Sequence, residues 1–389
     1  MSGGTKLYSG SIVAVHADSG EYAWHYQTST PQRQTENFHI VLADLELGGR
    51  LRHVAMSSAR NGTFYVLDAA TGALISQHPL VQQGWTGPRM DYPGIVVNGV
   101  EDCGGNCFGV RNWWPMSFNP VTKLMYIPVM DRRSHPANQA DALPMVGRLL
   151  AWDPEAQHSR WQVEYPIIIN GGVLSTAGNL VFQGQGSGEF AAFAAESGRK
   201  LWSVQTGSAI NAVPVTYQLG EQQFVIVPVG WGGAFRLWSP STMNVTPQSK
   251  YGPSRLIAFR LDGQRNFPVP QIKAPPIPRP PETAYTPEQV QRGAALADAH
   301  NCTDCHSPGF DGAGRWVLNG GIPDLRYMPA QAHLEWNAIV LGGSHRQQGM
   351  MPFGVPSQVP AMEALTVAEA DDIHAYVLDC AWRAYRQQH

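Results

Sequence analysis

The chain has 389 residues, with 40 Gly, 30 Pro and 12 Trp and only 15% charged side chains, a composition that fits two or three domains and a turn-rich β protein. Its formal net charge of -3, with no basic cluster, excludes a phosphate-tracking surface and so a nucleic-acid partner. No apolar run is long enough for a membrane span.

The amino terminus, Met1 to Tyr8, has neither the apolar stretch nor the cleavage site of a secretory signal. A degenerate repeat then runs through the first two thirds. Its pattern is an apolar strand, Asp, a Thr/Ser-Gly turn and a returning Trp. The first copy joins Ile12–Val15 to Asp18-Ser19-Gly20 and Trp24. Later copies centre on Phe64–Asp68 with Gly72, Leu149–Asp153 with Trp161, Phe190–Phe193 with Gly198 and Trp202, and Leu256–Phe259 with Gly263. Each copy predicts a strand, a tight turn in which Gly supplies positive φ, and a second strand. Further short β-branched runs between the copies predict about four strands per unit, the signature of propeller blades. A generic β-sandwich is the competing expectation, but it does not demand that Gly and Trp recur in register.

Between Gln264 and Thr283 the prolines Pro268, Pro270, Pro275, Pro276, Pro278, Pro280 and Pro281 predict a stiff interdomain spacer. Thr286-Pro287-Glu288 then reads as a helix start, and a last amphipathic helix is expected from about Val367 to Tyr385. The expected organisation is therefore a propeller portion over 1–263, a linker over 264–284 and a helical domain over 285–389.

Within the helical domain stands Cys302-Thr303-Asp304-Cys305-His306, the Cys-x-x-Cys-His attachment signature of c-type haem. Two thiols at this spacing reach the two vinyl groups on one edge of the macrocycle, and His306 then lies under the iron. A thioredoxin-like pair would need a βαβ pattern, and a zinc site would need a second ligand pair; neither is present in the sequence. Met351, in Met351-Pro352, is the expected distal ligand, with Met350 the adjacent rival; thioether ligation favours electron transfer. Pro323 falls where a backbone carbonyl could orient the histidine ring, although a plain turn reads equally well there. Cys103 and Cys107 could form a local disulfide or remain thiols, and Cys380 reads as a small buried apolar residue.

Several segments carry a family resemblance. They include Arg60–Asp68, Asn112-Trp113-Trp114-Pro115 through Pro120, Gly171–Gly184, Gly230-Trp231-Gly232-Gly233, Pro323–Met328 and Gly349–Pro352. Together they resemble the quinohaemoprotein alcohol dehydrogenases. In that family an eight-bladed propeller binding pyrroloquinoline quinone (PQQ) is followed by a Pro-rich linker and a cytochrome c domain. The resemblance implies about half of such a propeller, then an all-α cytochrome c domain. It implies oxidation of an alcohol substrate at PQQ, and transfer of electrons to haem c and on to an external acceptor. It also implies a periplasmic location.

Carried over residue by residue, Arg60 matches the basic group beside the quinone oxygens, Asn112 and Trp113 match a cofactor-contacting pair, and Trp231 and Gly232 match contacts at the ring edge. The family's Ca²⁺ ligands and the residues that sandwich the quinone match no segment of this chain. The stretch Thr28 to His39 lacks the family's catalytic Asp, and Glu36 is its one acidic residue. These departures imply a partner that supplies an amino-terminal propeller portion. They also keep open a second reading, a haem c electron-transfer module without catalysis of its own. Polyvinyl-alcohol-type dehydrogenases share the propeller but resemble the chain less, since their haem domain sits at the other end.

Overall fold

The computed structural model describes residues 8, 10–28, 39–81, 110–132, 145–168, 170–231, 252–264, 267–269, 271, 276–300, 302, 306, 323–348, 350–355 and 363–388. They belong to two compact units, one holding all the described strands and one holding all the described helices.

The strand unit is five antiparallel meanders in chain order. β1 (Ser11–Val15) pairs with β2 (Tyr22–Gln27). The four-stranded sheets are β3 (Ile40–Leu47) to β6 (Leu74–Pro79), β7 (Ser117–Asn119) to β10 (His158–Tyr165), and β11 (Asn170–Ser175) to β14 (Lys200–Gln205). A three-stranded sheet of β15 (Val215–Leu219), β16 (Gln222–Val229) and β17 (Arg255–Arg260) ends the series. Four-stranded antiparallel units stacked face to face are propeller blades, so the propeller expectation holds.

Each sheet buries one face against the next. Ile12 and Trp24 pack with Tyr65 and Leu67; Met56, Phe64 and Val66 pack with Met125, Leu150 and Trp152. Leu124, Tyr126 and Leu149 meet Val181, Ala191 and Phe193, and Phe190 meets Val225, Val227 and Ile257. Fully burying one such side chain stabilises the fold by roughly 1.5–3 kcal/mol. The outer faces of the two terminal sheets are different. Val13, Val15 and Tyr22 are exposed on one, and Val215, Tyr217, Leu219 and Leu256 on the other.

The repeat has a packing cause that the sequence pattern does not show. Trp24 leaves its own sheet and lies on the Asp68–Gly72 turn of the next one, where its Nε1 donates to the Ala69 carbonyl at 3.1 Å. A Cβ on Gly72 would lie 2.4 Å from the indole. Trp161 repeats the arrangement on Gly198, with Nε1 donating to the Ala195 carbonyl at 2.9 Å. Asp68 builds its turn by accepting from the Ala70 and Thr71 amides.

In the helical unit, α1 (Pro287–Ala299) starts from Thr286, which forms a reciprocal capping box with Gln289. Short helices α2 (Ala330–Leu334) and α3 (Trp336–Val340) precede the long α4 (Val367–Gln388). α1 crosses α4 at Gly293, where an added Cβ would be 1.9 Å from the Asp372 carbonyl oxygen. Arg292 secures the crossing with bonds of 2.8 and 2.9 Å to the Asp372 carboxylate. The Pro-rich segment is not a free spacer throughout. Ile277 is buried and its amide donates to Gln388 at 2.8 Å, while Trp382 donates to the Pro281 carbonyl at 3.2 Å.

Candidate functional site

Two sites emerge, one in each unit. In the helical unit His306 is buried, and its Nδ1 lies 2.9 Å from the Pro323 carbonyl oxygen. A carbonyl can only accept, so Nδ1 carries the proton and Nε2 keeps its lone pair for a metal. Asp324, almost fully buried, holds that carbonyl in place by capping the Leu325–Tyr327 turn and pairing with Arg326 at 2.8 Å. An apolar cluster that includes Leu325, Val340, Leu365 and Val377 forms the surroundings, and Cys302, Met328 and Met350 pack against it.

Cys302, an oriented imidazole and a thioether against one buried apolar cluster suit a covalently held haem. The low-dielectric surroundings would exclude water from the iron. The two candidate methionines differ in exposure. Met351 is 55% exposed, whereas Met350 is partly buried on the cluster. Consecutive residues in an extended turn point opposite ways, so only one of them can face the haem side. Cys305 lies outside the described residues.

In the strand unit the segment Val110 to Met116 crosses the ends of three sheets. The Val110 amide donates to the Arg60 carbonyl at 2.8 Å, which sets Arg60 beside Arg111 and Asn112. The Asn112 side chain is buried and accepts the Trp113 amide at 2.9 Å. Trp113 is half exposed and Trp114 fully buried, their rings 5.7 Å apart. Gly172 admits Pro115 on one side and Val213 on the other; a Cβ there would meet them at 2.7 and 2.9 Å. The segment carrying Asn112 is thereby brought against the one carrying Ile210 and Asn211.

Trp231 follows β16 through Gly230, whose φ of 146° only glycine adopts easily, and its carbonyl accepts from Asn211 at 3.0 Å. Arg60, Asn112, Trp113 and Trp231 are thus all placed at sheet ends on or beside these two segments. Glu36, Gly232, Cys103 and Cys107 lie outside the described residues.

Sequence reasoning missed the polar groups that make this second site distinctive. Arg111 Nε and Nη1, Gln185 Nε2 and Asn211 Oδ1 are buried with no hydrogen-bond partner among the described residues. His39 also joins the segment, its Nδ1 accepting the Met116 amide at 3.1 Å. Three of those buried atoms are donors, Arg111 Nε, Arg111 Nη1 and Gln185 Nε2, while Asn211 Oδ1 is an acceptor; donors of this kind beside the tryptophan-bearing segment fit a planar, anionic, oxygen-rich group such as PQQ. The one available signal was position: Arg111 directly precedes the Asn112-Trp113 pair. Among the described residues no cluster of three or more His, Cys, Asp or Glu could hold a metal ion.

Comparison with known proteins matches residues 290–381 to the cytochrome c family. Residues 1–84 and 145–225 match the glucose/ethanol/alcohol dehydrogenase β-propeller domain family. The chain is 34% identical, over 96% of its length, to quinohemoprotein alcohol dehydrogenase ADH-IIG of Pseudomonas putida, and 36% identical, over 100%, to ADH IIB of the same organism. It covers 56% and 58% of those proteins, little more than half of each. Among solved structures, ADHIIG from Pseudomonas putida HK5 superposes with a TM-score of 0.75 at 32% identity, covering 99% of this chain and 60% of that one. The quinohemoprotein alcohol dehydrogenase of Comamonas testosteroni gives 0.70 at 29%, covering 98% and 58%.

Proposed function

The chain is homologous along its length to the quinohaemoprotein alcohol dehydrogenase family, and from that premise we propose that it lines one side of a PQQ site and carries electrons from it to haem c. The observation that carries this reading is the buried Arg111 beside Asn112, whose Nε and Nη1 have no acceptor among the described residues, in a chain that also holds a histidine oriented for iron. When bound, PQQ takes up the hydrogen of an alcohol as a two-electron acceptor, and haem iron takes electrons one at a time.

The protein's part is to hold and to tune. Cys302 and Cys305 tether the haem, and His306 presents Nε2 to the iron. Met350 would supply a thioether to the iron, and thioether ligation inside an apolar cluster would raise the reduction potential. Arg60 places positive charge beside the quinone oxygens, where it favours the reduced, anionic form. Asn112, Trp113, Trp231 and Gly232 position the ring, and Glu36 is the acidic side chain in the stretch where the family carries its proton acceptor. In this reading the domains follow the bounds 1–263, 264–284 and 285–389, and covalent haem c attachment supports a periplasmic location.

The exposed apolar outer faces of β1–β2 and β15–β17 favour a further step in the same reading. Two sheets that expose Val13, Val15, Val215, Leu219 and Leu256 are suited to pack against additional blades, which an amino-terminal propeller portion would supply. In that assembly the chain takes part in catalysis; by itself it serves as a haem c electron-transfer module. Adding PQQ, Ca²⁺ and a primary alcohol to the matured chain, alone and with an amino-terminal propeller portion, separates the two. Haem reduction only in the mixture supports the assembly. Reduction by the chain alone removes the need for it, and no reduction in either overturns the enzymatic reading.

A further inference from the structure

Arg111 is completely buried, with 0% of its surface exposed. One of its terminal nitrogens donates to the Trp114 carbonyl, while Nε and Nη1 have no hydrogen-bond partner among the described residues. An unpaired guanidinium away from water is among the costliest features a fold can carry, and nature rarely leaves one unmatched. Burial lowers its pKa to about 9, which still leaves the group charged at neutral pH.

The neighbouring charges do not relieve it. Asp131 follows Met130, whose amide donates to the Val110 carbonyl, but its carboxylate is engaged by Arg148, which also reaches Glu164 at 3.4 Å. His39 is anchored to the same turn as Arg111, one at Met116 and the other at Trp114. Because His39 Nδ1 accepts an amide hydrogen, a neutral ring must carry its proton on Nε2. Burial and the Arg111 charge both lower the His39 pKa, so the ring is a neutral donor. With Arg111 Nε and Nη1 lacking an acceptor among the described residues, and the neutral His39 ring close enough to feel the Arg111 charge, the arrangement suits a single small oxyanion.

We propose that Arg111, flanked by His39, binds a carboxylate group, supplied either by the bound quinone cofactor or by an acid function on the substrate alcohol. The location of the site rests on the quinone reading, but its chemistry does not, because the unmet donors exist whatever the ligand is. The site extends recognition to a residue outside the positions matched by resemblance, and it explains why a segment bearing two adjacent tryptophans also buries a charge.

The experiment uses the haem-matured full chain and its Arg111→Gln, Arg111→Lys and His39→Gln variants, together with the amino-terminal propeller portion where turnover is read. PQQ and its trimethyl ester are titrated by tryptophan fluorescence. If the cofactor supplies the carboxylate, Arg111→Gln weakens PQQ binding about 10- to 100-fold, the range of a hydrogen bond to a charged group, and Arg111→Lys recovers part of it. Binding of the ester should not respond to the substitution.

If the substrate supplies it, PQQ binding is unchanged. The ratio of kcat/KM for an ω-hydroxy acid to that for the matching 1-alkanol then falls at least 10-fold in Arg111→Gln. A chain that binds no PQQ would end the quinone reading alone. In that case the site is read by the thermal shift that millimolar butyrate induces in the wild type, which Arg111→Gln should abolish. Equal PQQ affinity, equal substrate ratio and equal butyrate shift in wild type and Arg111→Gln overturn the proposal.

Discussion

Trp24 covers Gly72 so closely that a single methyl group on the glycine would lie 2.4 Å from the indole ring. The two residues come from neighbouring sheets, and the indole nitrogen also bonds the Ala69 carbonyl beside that glycine. The contact links one blade to the next and accounts for the shared periodicity of Trp and Gly.

Gly20 and Gly72 make a controlled comparison. Both have positive φ, 71° and 72°, but nothing lies within 4 Å of a Cβ on Gly20. Gly20→Ala should cost only the conformational strain, about 1 kcal/mol. Gly72→Ala should cost about 1 to 3 kcal/mol more, because the Trp24 ring must move. Urea denaturation followed by tryptophan fluorescence measures both; equal losses would show that the indole contact carries no stability.

How far the sequence could be read divides along the same line. Strands, turns and the haem motif depend on local pattern, so Asp68-x-x-Thr71-Gly72 and Cys302-x-x-Cys305-His306 were legible directly. Trp24 on Gly72 was visible only as a recurrence, since the partner lies in the next sheet. Arg111 was not legible at all, because its meaning depends on burial and on neighbours as remote as His39. Sequence does not separate Met350 from Met351 for a similar reason: adjacent residues share their sequence context and differ only in which way they face. The Pro-rich composition after Gln264 implies an extended segment but gives no sign that Trp382 receives part of it.

The methionine assignment has a direct spectroscopic consequence. Met350→Ala should remove the near-infrared sulfur-to-iron band of the ferric haem and lower its reduction potential, since a thioether ligand raises that potential. Met351→Ala, at an exposed position, should leave both unchanged. Potentiometric titration of the two variants decides it, and the opposite pattern would make Met351 the ligand.

The end of the Pro-rich segment is held by α4. Ile277 is buried with its amide on Gln388, and the guanidinium carbons of Arg279 and Arg386 stand 5.9 and 5.7 Å from the centre of the Trp382 ring. Cation–π contacts of this kind contribute about 0.5–1 kcal/mol each at exposed sites. Trp382→Ala should therefore release the segment while leaving α1 packed on α4. Hydrogen exchange at the Ile277 amide should accelerate at least 10-fold, with α4 amides near Asp372 unchanged. Unaltered exchange at Ile277 would mean that the Gln388 bond suffices without the ring.

A histidine pair in the helical unit sets a pH window for stability. His374 stacks on Trp336 at 4.7 Å, and its Nε2 lies 2.9 Å from His333 Nδ1. Burial, reinforced by His333 and opposed by Asp371, lowers the His374 pKa from 6.5 to about 4. A histidine whose folded pKa is depressed binds fewer protons folded than unfolded, so its contribution is complete above pH 6.5. That contribution is lost as the pH falls from there toward 4, by an amount on the order of 3 kcal/mol. His374→Phe keeps the stack on Trp336 and removes the titration. The variant should lose less stability than the wild type between pH 6.5 and 4 when both are unfolded in urea and followed by circular dichroism. Parallel pH profiles would show that the acid sensitivity of this unit arises elsewhere, with the Arg292–Asp372 pair the next group to test. That pair predicts a loss at lower pH, because the bond to Arg292 holds the Asp372 carboxyl below its ordinary value of 3.8.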